Sequence, residues 1–104
     1  MKMEKNPLPK WMTLGADGVS VKLSKPATIN SIARDTITLR EPRVCDIRAA
    51  QKLAKSDDDE RELLLFASLA EVSTADLESL PYRDYQRVQE AYFRLIQWDD
   101  DPKP

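Results

Sequence analysis

Residues 36–54 read Thr-Ile-Thr-Leu-Arg-Glu-Pro-Arg-Val-Cys-Asp-Ile-Arg-Ala-Ala-Gln-Lys-Leu-Ala, and the apolar period changes inside them. Before Pro42, Ile37 and Leu39 alternate with Thr36, Thr38 and Arg40. That is the period of a half-buried strand, and the β-branched residues suit it. After Pro42, Val44, Ile47, Ala50, Leu53 and Ala54 recur at three- and four-residue steps, the pattern of an amphipathic helix. The proline marks the boundary because it has no N–H for a ladder.

Toward the N-terminus, Val19, Val21 and Leu23 alternate with Ser20 and Lys22, which predicts an earlier strand. Pro26 predicts that this strand lies at an edge or bends there. Asn30-Ser31, between Ile29 and Ile32, offers a turn, so the two strands form an antiparallel hairpin. A lone hairpin is marginal in water and must pack on something. Toward the C-terminus, Ser56 can cap a helix whose first turn holds Asp57, Asp58, Asp59 and Glu60. Leu63, Leu64, Leu65, Phe66, Leu69 and Val72 make that helix apolar on most sides, which predicts burial. Ser73 and Asp76 open a short helix from Thr74 to Leu80. Pro81 suits the first turn of a last helix with the stripe Tyr85, Val88, Tyr92 and Leu95.

The expected fold is therefore α+β: an N-terminal antiparallel β-hairpin followed by three to four helices. Residues 1–18 read as a flexible arm, with Pro7, Pro9, Gly15 and Gly18 along it and Trp11 and Met12 as anchoring points. Residues 19–98 form one α+β domain, and 99–104 an acidic frayed tail.

Composition narrows the function. The 104 residues are 41% hydrophobic and 33% charged, which is globular rather than disordered. The formal net charge of -2 and pI near 5.1 speak against a general nucleic-acid binder. The longest apolar run, Leu63 to Ala67, is too short for a bilayer. Lys2 and Lys5 are followed by no apolar signal region, so a cytoplasmic protein is expected. No histidine is present, which removes the commonest acid–base group and metal ligand. Cys45 is the lone cysteine and has no histidine to activate it; it reads as a small packed residue near a helix start. The run Asp57–Glu60 lacks the alternation and the glycine of a calcium loop, so it reads as a solvated helix start. Two glycines cannot build a phosphate-binding loop. No catalytic set, metal or cofactor is expected.

Leu64 to Leu80 imitates a helix-turn-helix. Its second helix offers Asp76, Glu78 and Ser79 where a DNA reader needs basic and polar groups, and it stops at Pro81. A helical hairpin is the better reading. The last helix carries more large apolar groups than one buried face needs. Tyr92, Phe93, Ile96 and Trp98, followed by Asp99-Asp100-Asp101, form an aromatic centre with a charged rim, so these four are the candidate partner-binding residues. The plainer alternative is that they close the core.

The order of these elements resembles a known family. A hairpin ending in Leu39-Arg40-Glu41-Pro42 with Asp46 beyond it, an apolar helix, and an acidic helix start before Leu80 with Asp84-Tyr85 beyond are similar to the tail protein E family. These are the tail assembly chaperones of Mu-like, contractile-tailed bacteriophages. The resemblance spans about Val19 to Ile96 and departs at two points. Asn30-Ser31 stand where the family often has a turn glycine, and Arg43 where it often has a Thr or Ser cap. The resemblance implies a non-enzymatic protein that binds the tape measure protein and keeps it soluble while the tail tube polymerises. It implies action in the bacterial host cytoplasm and absence from the mature virion. Self-association and contact with tail tube components are compatible with that role. The rival readings are a small helix-turn-helix-like DNA-binding regulator and a minor structural protein of the virion.

Overall fold

The computed structural model describes residues 8–97. Three strands come first: β1 (Met12–Leu14), β2 (Gly18–Ile29) and β3 (Ile32–Arg40). They form one antiparallel sheet in the order β1-β2-β3. Four helices follow: α1 (Val44–Ala54), α2 (Asp58–Ala70), α3 (Thr74–Glu78) and α4 (Tyr82–Ile96). The α+β architecture expected from the period change at Pro42 is the one observed.

The β2–β3 hairpin closes at Asn30 and Ser31, with φ of 54° and 67°, between the paired Ile29 and Ile32. Two positive φ values in a two-residue loop make a primed turn, whose twist matches that of the strands. Asn tolerates that region well.

Two expectations about the N-terminal part need correction. Part of the segment read as an arm forms β1, with Met12 opposite Val21 and Leu14 opposite Val19. Met12 is buried at 4% exposure, so it anchors this segment in the core. Accordingly β2 is the central strand, not an edge, over Val19–Val21. Gly18 is likewise no hinge of an arm: a Cβ there would collide with the backbone carbonyl of Leu39, so the close approach of β3 requires glycine. Pro26 does bend the strand. The pairing steps from Lys22↔Thr36 to Ala27↔Arg34, leaving residues 23–26 opposite Asp35 alone. The bulge supplies the place in a central strand where a residue without an N–H is tolerated.

One face of the sheet presents Met12, Val19, Val21, Leu23, Ile37 and Leu39, all buried. The other presents Thr13, Ser20, Lys22, Thr36 and Thr38, with Ser20 and Thr38 hydroxyls 3.0 Å apart. The apolar face receives α4 against β2 and α2 against β3, while α1 packs on α2. Phe66, Leu69, Leu77 and Val88 complete the centre. Each fully buried side chain of this size contributes about 1.5–3 kcal/mol by leaving water.

Local chemistry sets the helix starts. Arg40 sends both guanidinium nitrogens to the two Asp46 carboxylate oxygens, at 2.8 and 3.0 Å. Asp46 also accepts from the Arg43 N–H at 2.8 Å, the N3-to-N-cap half of a capping box; arginine has no acceptor for the other half, and the Asp46 N–H goes to the Arg43 carbonyl at 2.9 Å. The Asp57 side chain, not Ser56, accepts from Glu60 N–H and caps α2; Ser73 accepts from Asp76 N–H and caps α3. The helix runs of α1 and α2 are less enclosed than their patterns predict. On α1 only Ala50 and Ala54 are buried, whereas Val44 and Leu53 are 75% and 69% exposed. On α2, Leu65, Phe66, Ala67 and Leu69 are buried, but Leu63 and Leu64 only partly. The cause is geometric: α1 leans chiefly on one neighbour, α2, and two alanines meet it.

Candidate partner-binding surface

The inner face of α4 is fastened at four places. Asp84 has no exposed surface, and its carboxylate accepts from the Ser24 N–H at 2.9 Å and the Ser24 hydroxyl at 3.0 Å. Ser24 lies in the bulge, outside the paired register, so a helix side chain takes over the ladder's role. Arg87 donates to the Lys22 carbonyl at 2.7 Å and lies over the Trp11 ring, 5.3 Å from its centroid. The Tyr85 hydroxyl and the Gln89 amide both donate to Glu62 Oε1 on α2, each at 3.0 Å. Tyr92 packs its ring on Phe66 with centroids 5.1 Å apart.

The electrostatics agree with an inner face. Burial, and then the hydrogen bond to the Glu62 carboxylate, pushes the Tyr85 phenol well above its ordinary range. Burial also pushes Tyr92 up. Both rings stay neutral and act as packing groups.

The four candidate residues are therefore divided. Tyr92 turns inward to Phe66. Phe93 and Ile96, one turn apart, face outward at 62% and 43% exposure. Trp98 lies outside the described residues. Sequence reading overlooked Tyr82, which is 71% exposed. It stands eleven residues before Phe93, three helical turns and so nearly the same face. The eleven-residue spacing from Tyr82 to Phe93 carries that signal in the sequence, beside the stronger stripe of Tyr85 and Val88. Sequence reading also missed the Asp84–Ser24 contact, which joins residues sixty positions apart.

The remaining sequence features have structural roles. The αL residue Glu71 turns the chain between α2 and α3, and α3 is five residues long with Leu77 buried. Asp76 accepts from the Asn30 N–H at 3.1 Å, so α3 braces the hairpin turn rather than standing free to enter a groove. Cys45 is exposed at the start of α1, not packed. Among the described residues no group of three or more Asp, Glu, Cys or His is arranged to hold a metal ion. No helix among them is long and apolar enough to cross a membrane.

Both motifs that carry the family resemblance are thus joints: Arg40 with Asp46 ties the sheet to α1, and Asp84 ties α4 to the bulge. A sequence model of a protein family described as phage tail assembly chaperone proteins, E, or 41 or 14, matches residues 20–97. The chain belongs to that family. The match covers the sheet from β2 onward and all four helices. No curated protein and no solved structure matches the chain. A tail assembly chaperone works on protein partners in the tail, and its role points away from catalysis.

Proposed function

We propose that this tail assembly chaperone binds the tape measure protein of its phage and keeps it soluble until tail tube subunits enclose it. The observation that carries this reading is the split of α4. Its inner face is locked to the sheet and α2, while Phe93, Ile96 and Tyr82 stand uncovered on the outer face. A rigid helix with exposed large side chains suits a long helical client, because an amphipathic client helix can lay its apolar face along it. Anchoring beforehand spares the ordering cost that a mobile site would carry on binding. The work is done in the bacterial host cytoplasm, and the chaperone leaves before the virion is complete.

The test is co-expression with the tape measure protein from the same phage genome. Phe93→Ser with Ile96→Ser should leave the fold intact, since Phe93 is mostly in water and Ile96, part-exposed, is the last residue of α4, yet send the client to the insoluble fraction. A variant that stays folded and still keeps the client soluble removes α4 as the client surface. Wild-type chain that fails to raise client solubility removes the tape measure protein as the client. The alternative virion role is checked by looking for the chain in purified particles.

A further inference from the structure

α1 is held more weakly than the elements around it. It buries two side chains, Ala50 and Ala54, and each brings a single methyl group to the contact. Ile47 is half-buried, while Val44 and Leu53 stand in water. α1 packs chiefly on α2, whereas α2 and α4 both lie on the sheet as well. Its eleven residues fall below the roughly 12–15 at which an isolated helix is even marginal in water, so α1 depends on that contact.

Both ends of α1 can release. Its start is tied to the sheet by Arg40 and Asp46, and the Arg40 side chain is 41% exposed, so water competes for the tie. Its end turns at Lys55 with φ 59° and ψ -112°, so opening there relieves a strained backbone. Residues 41–43 and 55–57 lie outside helix and strand, which lets α1 leave without pulling on β3 or α2. What α1 hides is apolar. Glu62 and Phe66 turn one side of α2 toward Tyr85 and Tyr92 of α4. Helical rotation puts Leu64 and Ala67 on the side away from α4. Ala67 is nonetheless 8% exposed and Leu64 half-buried, with α1 packed along α2.

We propose that α1 is a lid on α2. It opens as a unit while the sheet, α2 and α4 stay folded, and it uncovers an apolar strip that includes Leu64 and Ala67. Elements with little buried apolar surface are the ones that open below the global unfolding barrier. The use of the lid rests on the tape measure reading: a helix of the client takes the place of α1, as a second contact beside the outer face of α4. The occupant it displaces shows what fits the strip, a helix with small residues four positions apart, as Ala50 and Ala54 are.

Hydrogen exchange on the full-length chain, with no client present, decides the lid. The α1 amides from Ile47 to Ala54 should be protected on the order of 100-fold less than those in the middle of α2 and α4, with little dependence on urea below the unfolding transition. Thiol labelling is the second probe. In a Cys45→Ser background, Ala54→Cys should react on the order of 100-fold faster than Ala91→Cys, although both alanines are buried. Equal protection of α1, α2 and α4, or equal labelling of the two thiols with the same urea dependence, overturns the lid. The displacement is read from exchange in the complex with the tape measure protein of the same phage. There α1 should exchange faster than in the free chain while α2 gains protection. A complex in which α1 exchanges at the same rate or more slowly overturns the displacement. Failure to form a complex removes the client reading, and exchange in the free chain still decides the lid.

Discussion

α4 and α1 carry apolar residues at the same helical spacing, and the protein uses them in opposite ways. On α4 the residues Asp84, Val88 and Ala91 show no exposed surface, and tyrosines fill the flank toward α2. On α1 two alanines are buried, while Val44 and Leu53 stand in water. Periodicity states which residues share a face of a helix; it does not state whether a neighbour reaches that face. α4 lies on the sheet and also meets α2, so its stripe is covered from two sides. α1 leans chiefly on α2. Each helix is also held by one carboxylate at its start: Asp84 in the interior, Asp46 near the surface.

The largest expected effect tests the interior carboxylate. Asp84→Ala removes the buried acceptor that takes both the Ser24 N–H and the Ser24 hydroxyl. A hydrogen bond to a charged group contributes about 1.5–3 kcal/mol, so the variant, which loses two of them, should lose roughly 3 kcal/mol in urea denaturation. A loss near zero would show that water takes the place of the carboxylate, and α4 would then be held by packing alone.

The next comparison sets one leucine against another. Leu69 on α2 is 2% exposed and Leu53 on α1 is 69% exposed. Leu69→Ala should cost about 3 kcal/mol, through lost burial and the cavity left behind. Leu53→Ala should change stability by less than about 0.5 kcal/mol. Comparable costs at the two sites would mean that α1 is covered in solution, by another copy or another part of the chain.

These pairs also show what could be read from the sequence. The switch from period two to helical period at Pro42, the turn at Asn30-Ser31 and the cap at Ser73 are local signals, and local chemistry decided them; the α2 cap reads one residue early from the sequence, at Ser56 instead of Asp57. β1 was hidden because three residues among prolines and glycines carry little pattern; what makes Met12–Leu14 a strand is the open edge of β2 beside it. Leu53 reads as buried because sequence spacing cannot show how many neighbours a helix has. On the candidate surface, Phe93 and Ile96 were visible as surplus aromatic and aliphatic groups. Tyr82 and the inward turn of Tyr92 depended on how α4 is rotated about its axis. That rotation is set by Asp84 and Arg87 reaching Ser24 and Lys22, partners far away in the chain.

A smaller effect lies at the far end of α1. Lys55 closes that helix at φ 59° and ψ -112°, a region that a residue with a Cβ enters at a cost. Its N–H still reaches the Gln51 carbonyl at 3.0 Å, which glycine would preserve. Lys55→Gly should therefore stabilise the chain by about 0.5–1 kcal/mol and raise the melting temperature by a few degrees. A drop in stability would mean that the lysine side chain holds the α1–α2 turn in some other way.

The smallest effect tests the Asp46 joint by pH. The bidentate Arg40 contact, and then the Arg43 N–H, hold Asp46 at about 2, below the ordinary aspartate value near 3.9. The same contact pushes Arg40 upward, so it stays charged throughout. A carboxylate whose folded value is depressed stabilises the fold fully above its unfolded value. That contribution is lost as pH falls from about 4 through about 2. Arg40→Met lets Asp46 return toward its ordinary value, so the variant has less to lose on acidification. Urea midpoints measured near pH 5 and again at about pH 2.5 should show wild type ahead at the higher pH and the gap narrowing at the lower. The Arg40 side chain is 41% exposed, so solvent screens the pair and the gap will be small at either pH. An unchanged gap would mean that Asp46 keeps its depressed value through the Arg43 N–H alone. The start of α1 would then be fixed by its own backbone rather than by the tie to the sheet.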